Sequence, residues 1–391
     1  MRVAIVGGKL QGVEAAFLAH EAGWEAVLID KKSSVPASGL CRSCYQCDVV
    51  KDVSSLRQII EKVDLIIPAL EDVTALRALQ KCAADANVPL AYDAGAYFIT
   101  HSKKRSNRLF EKLGVPQPQS WPQCGLPLMA KLSTSSGSQG VSKISTEKEL
   151  DDFIEGAGSE LGRWILQEYV EGPSYSIEVL GSEGHYTALQ VTELEMDERY
   201  DCHRVLTPAQ IAESLDRQIK EMALIIARSL HLKGIMDVEV ILDKDVPKVL
   251  EIDARLPSQT PTAVYKSTGI NMLELLGDIF VTGTMPITPK VTASRGVVYE
   301  HVRFSPNGLE FPGEHIMGEA DSLEVVPGFF RADIALTNFN LSSSPWVATL
   351  IITGESRERA WLKREHVIEN IKGCLKASKT RFTGIPSLSR G

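Results

Sequence analysis

Four carboxylates stand two by two in DVEVILDKDVPKVLEID: Asp237 and Glu239 before the turn DKDVPK, Glu251 and Asp253 after it. Apolar β-branched runs flank that turn, the pattern of a β-hairpin whose side chains alternate between two faces. A register centred on Asp245 sets Glu239 opposite Glu251 and Asp237 opposite Asp253, all on one side, while Val238, Val240, Ile252 and Ala254 supply the apolar side. Like charges directly opposed destabilise a sheet, so this face calls for a cation. Mg²⁺ suits it, because it takes oxygen ligands and commonly combines one or two carboxylates with substrate phosphates and water. A solvated charged face is the plainer alternative.

Magnesium with phosphates requires cationic side chains and a phosphate loop elsewhere in the chain. MAKLSTSSGSQGV puts Lys131 at the end of a short apolar run, before a Ser/Gly loop, 133–140, that contains Ser138 and is rich in backbone donors. No G-K-[ST] closes it, so it is not a Walker A loop, and in isolation it reads equally as a linker. WILQEYVEG, 164–172, has the form of an edge strand that can offer backbone groups to an adenine edge. The first strand runs into GGKLQG, a glycine turn opening a helix, where anions bind on backbone N–H groups. A nicotinamide-dinucleotide turn needs glycine at position 9, which is Lys9, and this counts against a dehydrogenase. Asp30 ends the second strand, placed to grip a ribose hydroxyl or a substrate ammonium; equally, Gly7, Gly8 and Gly12 make a tight turn and Asp30 caps a loop. In CRSCYQC, Cys41, Cys44 and Cys47 lack a fourth ligand near Lys51, so packing thiols are preferred to a metal cluster.

The elements that must position these groups can be read coarsely. A chain of 391 residues, 44% hydrophobic, spans two to three domains. Net charge −8 and pI near 5.6 speak against nucleic-acid or membrane-surface partners and for small molecules. A strand beginning at residue 2, no apolar run near the ~20 residues of a membrane span, and scattered cysteines lead to a cytoplasmic expectation. Residues 1–95 alternate the strands VAIV, EAVLI, VDLIIPA and PLAY with helices over 10–22 and 71–86, the rhythm of a parallel doubly wound sheet. A basic helix over 102–114 stops at glycine, and the proline-rich VPQPQSWPQ follows. Then come a β-rich region to about 180, helices over 208–230 and 270–280 around the acidic hairpin, strands from 285, and a charged helix over 357–374.

Taken in order, SKKRSNRLFEKLGVP, MAKLSTSSGSQGV, LQEYVEG, LKGIMDVEVIL and KVLEIDARLPSQTPTAVYKSTGIN resemble the successive nucleotide-site motifs of the ATP-grasp ligases, over about residues 1–285. The resemblance implies an α/β chain with the ATP-grasp fold. It would comprise a Rossmann-like (pre-ATP-grasp) domain over 1–95, an ATP-grasp domain over 96–285 with a lid lobe at about 115–180, and a β-rich extension over 286–391 packing on it. Lys103 or Lys104 then matches the first nucleotide lysine, with the count back from Gly114 favouring Lys103, and Lys131 the second. Gln167, Glu168 and Val170 match the adenine hinge, while Glu239, Glu251 and Asp253 match the metal carboxylates. Arg255 matches the arginine that steadies the transferring phosphoryl group. Ser174 departs from the ribose-binding glutamate of several relatives, which hands that role to Glu171.

The implied activity is ATP- and Mg²⁺-dependent ligation of a carboxylate to an amine through an acyl phosphate, with loop 133–140 closing over the phosphates. An ATP-grasp carboxylase of the purine-biosynthetic type, acting on an aminoimidazole nucleotide, is the alternative. A nucleotide sensor without turnover is disfavoured because the catalytic positions are filled. The substrates would be amino acids. Pro257 should turn Ser258 and Gln259 towards the phosphoryl-acceptor carboxylate. The amine substrate should meet Lys9, Leu10 and Gln11 of the glycine turn and the acids at strand ends, Asp30 and Glu71 with Asp72. The oligomeric state, a homodimer included, stays open.

Overall fold

The computed structural model describes residues 1–135, 137, 140–285, 291, 294–340 and 345–382. The N-terminal region forms a four-stranded parallel sheet in the order Ser43–Gln46, Glu25–Asp30, Arg2–Val6, Leu65–Pro68. Three of its strands, Arg2–Val6, Glu25–Asp30 and Leu65–Pro68, are buried on both faces because helices cover them, while the edge strand Ser43–Gln46 is largely exposed. Leu10–Glu21 and Val73–Ala86 form the two expected helices. A third helix, Val53–Ile60, was not anticipated; of its eight residues only Leu56 and Ile60 are buried, too few to set a period by eye.

The region expected to be the lid lobe holds a three-stranded antiparallel sheet with Leu128–Leu132 between Ser142–Ile144 and Trp164–Glu168. The region read as β-rich also holds the helix Glu147–Ala157, which opens with a capping box between Thr146 and Glu149. The helix expected from 208 begins at Glu213, since the Ala209 N–H is spent on the Val191 carbonyl at 3.1 Å and the chain stays extended there.

One large sheet carries the rest, in the order Val246–Asp253, Gly234–Asp243, Ser174–Ser182, Thr192–Met196, Cys202–Thr207, Gly296–Ser305, Trp346–Gly354, Ile334–Thr337, Glu324–Pro327. The strands after residue 285 therefore continue the sheet that holds the acidic hairpin, joined by the ladder from Arg204↔Glu300 to Thr207↔Val297. Next to that seam the buried Glu300 receives Arg204 and Arg364, the latter at 2.7 Å through both Nε and Nη2, so a buried charge is matched on both sides. A single apolar core runs from the N-terminal domain (Phe17, Leu18) through Met272 and Leu273 to Ile316 and Met317 of the extension. The parts are thereby held in fixed register around the face where the carboxylates lie. Among the described residues no helix is long and apolar enough to cross a membrane.

Candidate active site

The hairpin pairs Asp237 with Asp253 and Glu239 with Glu251. Its turn, however, is the two-residue Lys244–Asp245, with Lys244 at φ 58°, and from there the pairs run Asp243↔Val246 to Val240↔Val249. Continued unchanged, that register would set Glu239 against Leu250. An irregularity between Glu239 and Val240 leaves Leu250 as an extra residue and restores the acidic pairs.

A third strand adds to this face. Ser174–Ser182 sets Glu178 beside Asp237 and Ser176 beside Glu239. Glu178 is 0% exposed, neither carboxylate oxygen has a hydrogen-bond partner among the described residues, and burial pushes its pKa to about 7. Burial and then the neighbouring Glu239 push Asp237 well above the usual carboxylate range, although the Ser176 hydroxyl donates to it. Glu239 rises to about 7 through burial and then Glu251. Sequence reasoning missed Glu178, yet the alternation of Ser174, Ser176 and Glu178 in SYSIEVLGS was a signal.

Cations meet these carboxylates from the opposite side. Lys103, the first residue of the helix Lys103–Leu113, is buried, and its Nζ donates to Glu251 Oε1 at 2.8 Å and to the Ser135 carbonyl at 2.6 Å. Its backbone N–H also holds the Ser133 carbonyl at 2.8 Å, so the base of loop 133–140 is fastened to this helix start. Lys104 points elsewhere, donating to the Gly162 carbonyl of the lid lobe. Lys131 is held below its usual pKa by burial, opposed by the nearby Glu251. Ser138 lies outside the described residues.

Of the residues expected to form the adenine hinge and ribose contact, Gln167 is buried in the edge strand, Val170 is half-buried and Glu171 exposed. The Glu168 side chain accepts from the Gln119 N–H at 3.1 Å and from Lys248 at 2.8 Å, which ties the lid sheet to the hairpin.

Arg255 is 5% exposed and joins the hairpin to the N-terminal domain. It binds Asp253 through Nε and Nη2, and it donates to Gln11 Oε1 at 2.9 Å, the Leu70 carbonyl at 3.0 Å and Glu71 Oε1 at 3.1 Å. Of the groups expected near the amine, then, Gln11 and Glu71 reach the site through this arginine. Asp30 accepts the N–H groups of Gly8 and Lys32, both at 2.9 Å, and so caps the glycine turn. Asp72 is exposed and caps the helix Val73–Ala86 through the Ala75 N–H at 2.7 Å. Lys9 is exposed, while Leu10 packs on the central core near Gly318. The turn itself needs Gly7, whose φ is 102° and where a Cβ would stand 2.3 Å from the Ala69 carbonyl oxygen.

Ser258 and Gln259 both donate, at 2.7 Å, to Oε2 of Glu314, a residue of the C-terminal extension that carried no role in the sequence reading. In CRSCYQC, Cys41 is half-buried with its thiol pushed up to about 12, Cys44 is exposed and Cys47 buried. They form no metal-ligating group among the described residues.

A family model described as ATP-grasp domain matches residues 100–259. The chain is 36% identical over 363 residues to the 3-methyl-D-ornithine–L-lysine ligase of Methanosarcina barkeri, covering 93% of this chain and 95% of that protein. To the ligase of the same name from Methanosarcina acetivorans it is 34% identical, with the same coverage. Among solved structures, the ADP complex of an N5-carboxyaminoimidazole ribonucleotide synthetase superposes with TM-score 0.70 at 17% identity, over 95% of this chain and 97% of that one. The L-amino acid ligase from Bacillus licheniformis gives TM-score 0.63 at 18% identity, over 93% and 96%.

Proposed function

The chain belongs to the ATP-grasp family and is an ATP-dependent carboxylate–amine ligase, and from that premise we propose that it joins 3-methyl-D-ornithine to the ε-amine of L-lysine, a cytoplasmic step of pyrrolysine biosynthesis. The observation that carries this reading is the extent of the likeness to the methanosarcinal ligases. It spans 93% of the chain, whereas the ATP-grasp family model matches only residues 100–259, so it runs beyond the nucleotide site into the N-terminal domain and the C-terminal extension, the walls of the space where amino acids would lie. The likeness to the carboxyaminoimidazole synthetases is one of fold alone.

ATP lies between the hinge at Gln167, Glu168 and Val170 and the acidic hairpin, with Glu171 at the ribose and Lys103 and Lys131 at the phosphates. Glu239, Glu251 and Asp253 would hold Mg²⁺. The fit rests on chemistry: an all-oxygen set of half-buried carboxylates, in which desolvation and then the opposed Glu251 raise Glu239 to about 7, and which carries more negative charge than the nearby lysines offset. When bound, the ion neutralises phosphate charge.

The donor carboxylate attacks the γ-phosphorus, ADP leaves, and an acyl phosphate forms; the amine then attacks the acyl carbon, expelling phosphate and losing a proton. Phosphoryl transfer asks the protein for alignment and charge, which two lysines and Arg255 supply. Arg255 keeps its charge and its aim because Asp253, Gln11 and Glu71 converge on it. The closed loop would exclude water, which otherwise hydrolyses the acyl phosphate.

The test is ADP release over amino-acid pairs with mass detection of the product. One ADP per dipeptide, with 3-methyl-D-ornithine and lysine, is expected, and Glu251→Gln should abolish it while the protein stays folded. ADP formed only with bicarbonate and an aminoimidazole nucleotide would overturn the reading.

A further inference from the structure

Ser258 and Gln259 were expected to offer their donors to a substrate carboxylate. The Ser258 hydroxyl and one N–H of the Gln259 amide are already spent on Oε2 of Glu314, at 2.7 Å each, so a substrate carboxylate here would face the carboxylate of Glu314. The polarity of this corner is therefore the reverse: it presents acceptors. Glu314 Oε1 makes no hydrogen bond among the described residues, and the Gln259 side-chain oxygen, in a residue 5% exposed, is also without a partner. The amide orientation is fixed, since only its NH₂ end can face a carboxylate. Gln259 sits at φ 70°, ψ −60°, a conformation non-glycine residues seldom adopt and one that persists where surrounding structure imposes it.

Glu314 is held as firmly as the groups around it. The hairpin turn between the strands Thr192–Met196 and Cys202–Thr207 takes three consecutive backbone N–H groups of the extension: Gly313 to Asp197 Oδ2 at 3.0 Å, Glu314 to the Cys202 carbonyl at 3.0 Å, and His315 to Asp201 Oδ2 at 3.1 Å. His315 Nδ1 meets the same Asp201 oxygen at 2.6 Å. Asp197, Asp201 and His315 lie close enough to hold a metal ion, but these bonds give the cluster a different office, that of a clamp. Gly313 is required in it, because a Cβ there would stand 2.2 Å from Asp201 Oδ2. The clamp sets Glu314 where its charge bears on Glu239 of the hairpin and feels Glu71, the partner of Arg255.

Two adjacent acceptors with unfilled capacity suit a group that has several donors and a positive charge. An ammonium has three donors and no acceptor. The geometry points to Glu314, with Gln259, as the binding site for the α-ammonium of the acyl-donor amino acid. That group sits on the carbon next to the carboxylate that must reach the acidic hairpin to be phosphorylated, whereas the far end of the donor and the α-ammonium of lysine lie several bonds further away. The inference rests on the proposed ligase reading and deepens it: the extension supplies donor recognition.

The experiment compares wild type with Glu314→Gln, which keeps an oxygen for Ser258 and Gln259 but removes the charge, using the donor and its analogue lacking the α-amine, 5-amino-3-methylpentanoate. With the full donor, kcat/KM for the donor should fall roughly 10- to 100-fold while KM for ATP and for lysine stays within about twofold. With the analogue the two proteins should be equal. Wild type alone should lose a similar factor on passing from donor to analogue, a measurement that stands even if the variant does not fold. An unchanged donor kcat/KM in the variant, an equal loss with the analogue, or a loss confined to lysine overturns the assignment. Wild type that makes dipeptide yet ignores the α-amine refutes this inference alone; wild type that makes no dipeptide from any donor refutes the ligase reading beneath it.

Discussion

Glu239→Gln should make the metal-free protein more stable and the enzyme inactive. The side chain makes no hydrogen bond among the described residues, faces Glu251 across the hairpin, and titrates at about 7 against an ordinary 4.5, through burial and then Glu251. A carboxyl raised in the folded state stabilises the fold below its unfolded pKa and loses that contribution as pH rises through the folded one. The window is therefore pH 4.5 to about 7. At about 1.4 kcal/mol per unit, full ionisation of Glu239 costs the fold about 3 kcal/mol, which the neutral amide avoids. For a chain of this size that is on the order of 5 °C in Tm. Thermal unfolding in excess chelator would show the two proteins alike below pH 4.5, with the variant melting higher by a margin that grows to pH 8. Nucleotide with Mg²⁺ should then raise the wild type and leave the variant unmoved. A variant that is less stable at pH 8, or a margin that does not grow with pH, would refute the view that these carboxylates repel one another until a cation joins them.

Two further predictions follow from neighbouring geometry. Lys103→Met breaks the link between Glu251 and the Ser135 carbonyl and should raise KM for ATP by about tenfold or more, whereas Lys104→Met, losing only a contact to the lid-lobe Gly162 carbonyl, should change it by less than about threefold in the same ADP assay. Gly313→Ala drives a methyl group into Asp201 and loosens the clamp on Glu314, so donor KM should rise while nucleotide affinity, measured by calorimetry, holds; an unaltered donor KM would mean the clamp does not position Glu314.

Much of this protein was written locally. Alternation of charged and apolar residues on either side of DKDVPK determined that Glu239 opposes Glu251 and that Asp237 opposes Asp253, because strand side chains repeat every two residues and a slip would bury the wrong face. Glycine at 114 stopped the basic helix in the left-handed conformation, and the glycine turn opened the first helix, for equally local steric reasons. The turn of the hairpin was misread by half a residue. A bulge cancelled the error, and nothing in the local pattern marks where an extra residue enters a ladder.

What only the tertiary structure decided concerns partners distant in sequence. Lys103 and Lys104 are equivalent as a pair of neighbouring lysines, and the helix start fastened to Ser133 alone turns one towards Glu251 and the other towards the lid lobe. Asp30, Glu71 and Asp72 all offered their carboxylates in the sequence, but backbone N–H groups at the ends of their own elements claim Asp30 and Asp72, while Glu71 meets Arg255 from 184 residues away. Glu178 and Glu314 join the site because a third strand and an extension built into the same sheet bring them there. Hydrogen-bonded pairing and steric turns act over a few residues and leave a period in the chain; ion pairs and clamps between separate elements leave none, since either partner alone is an ordinary surface residue until the fold closes.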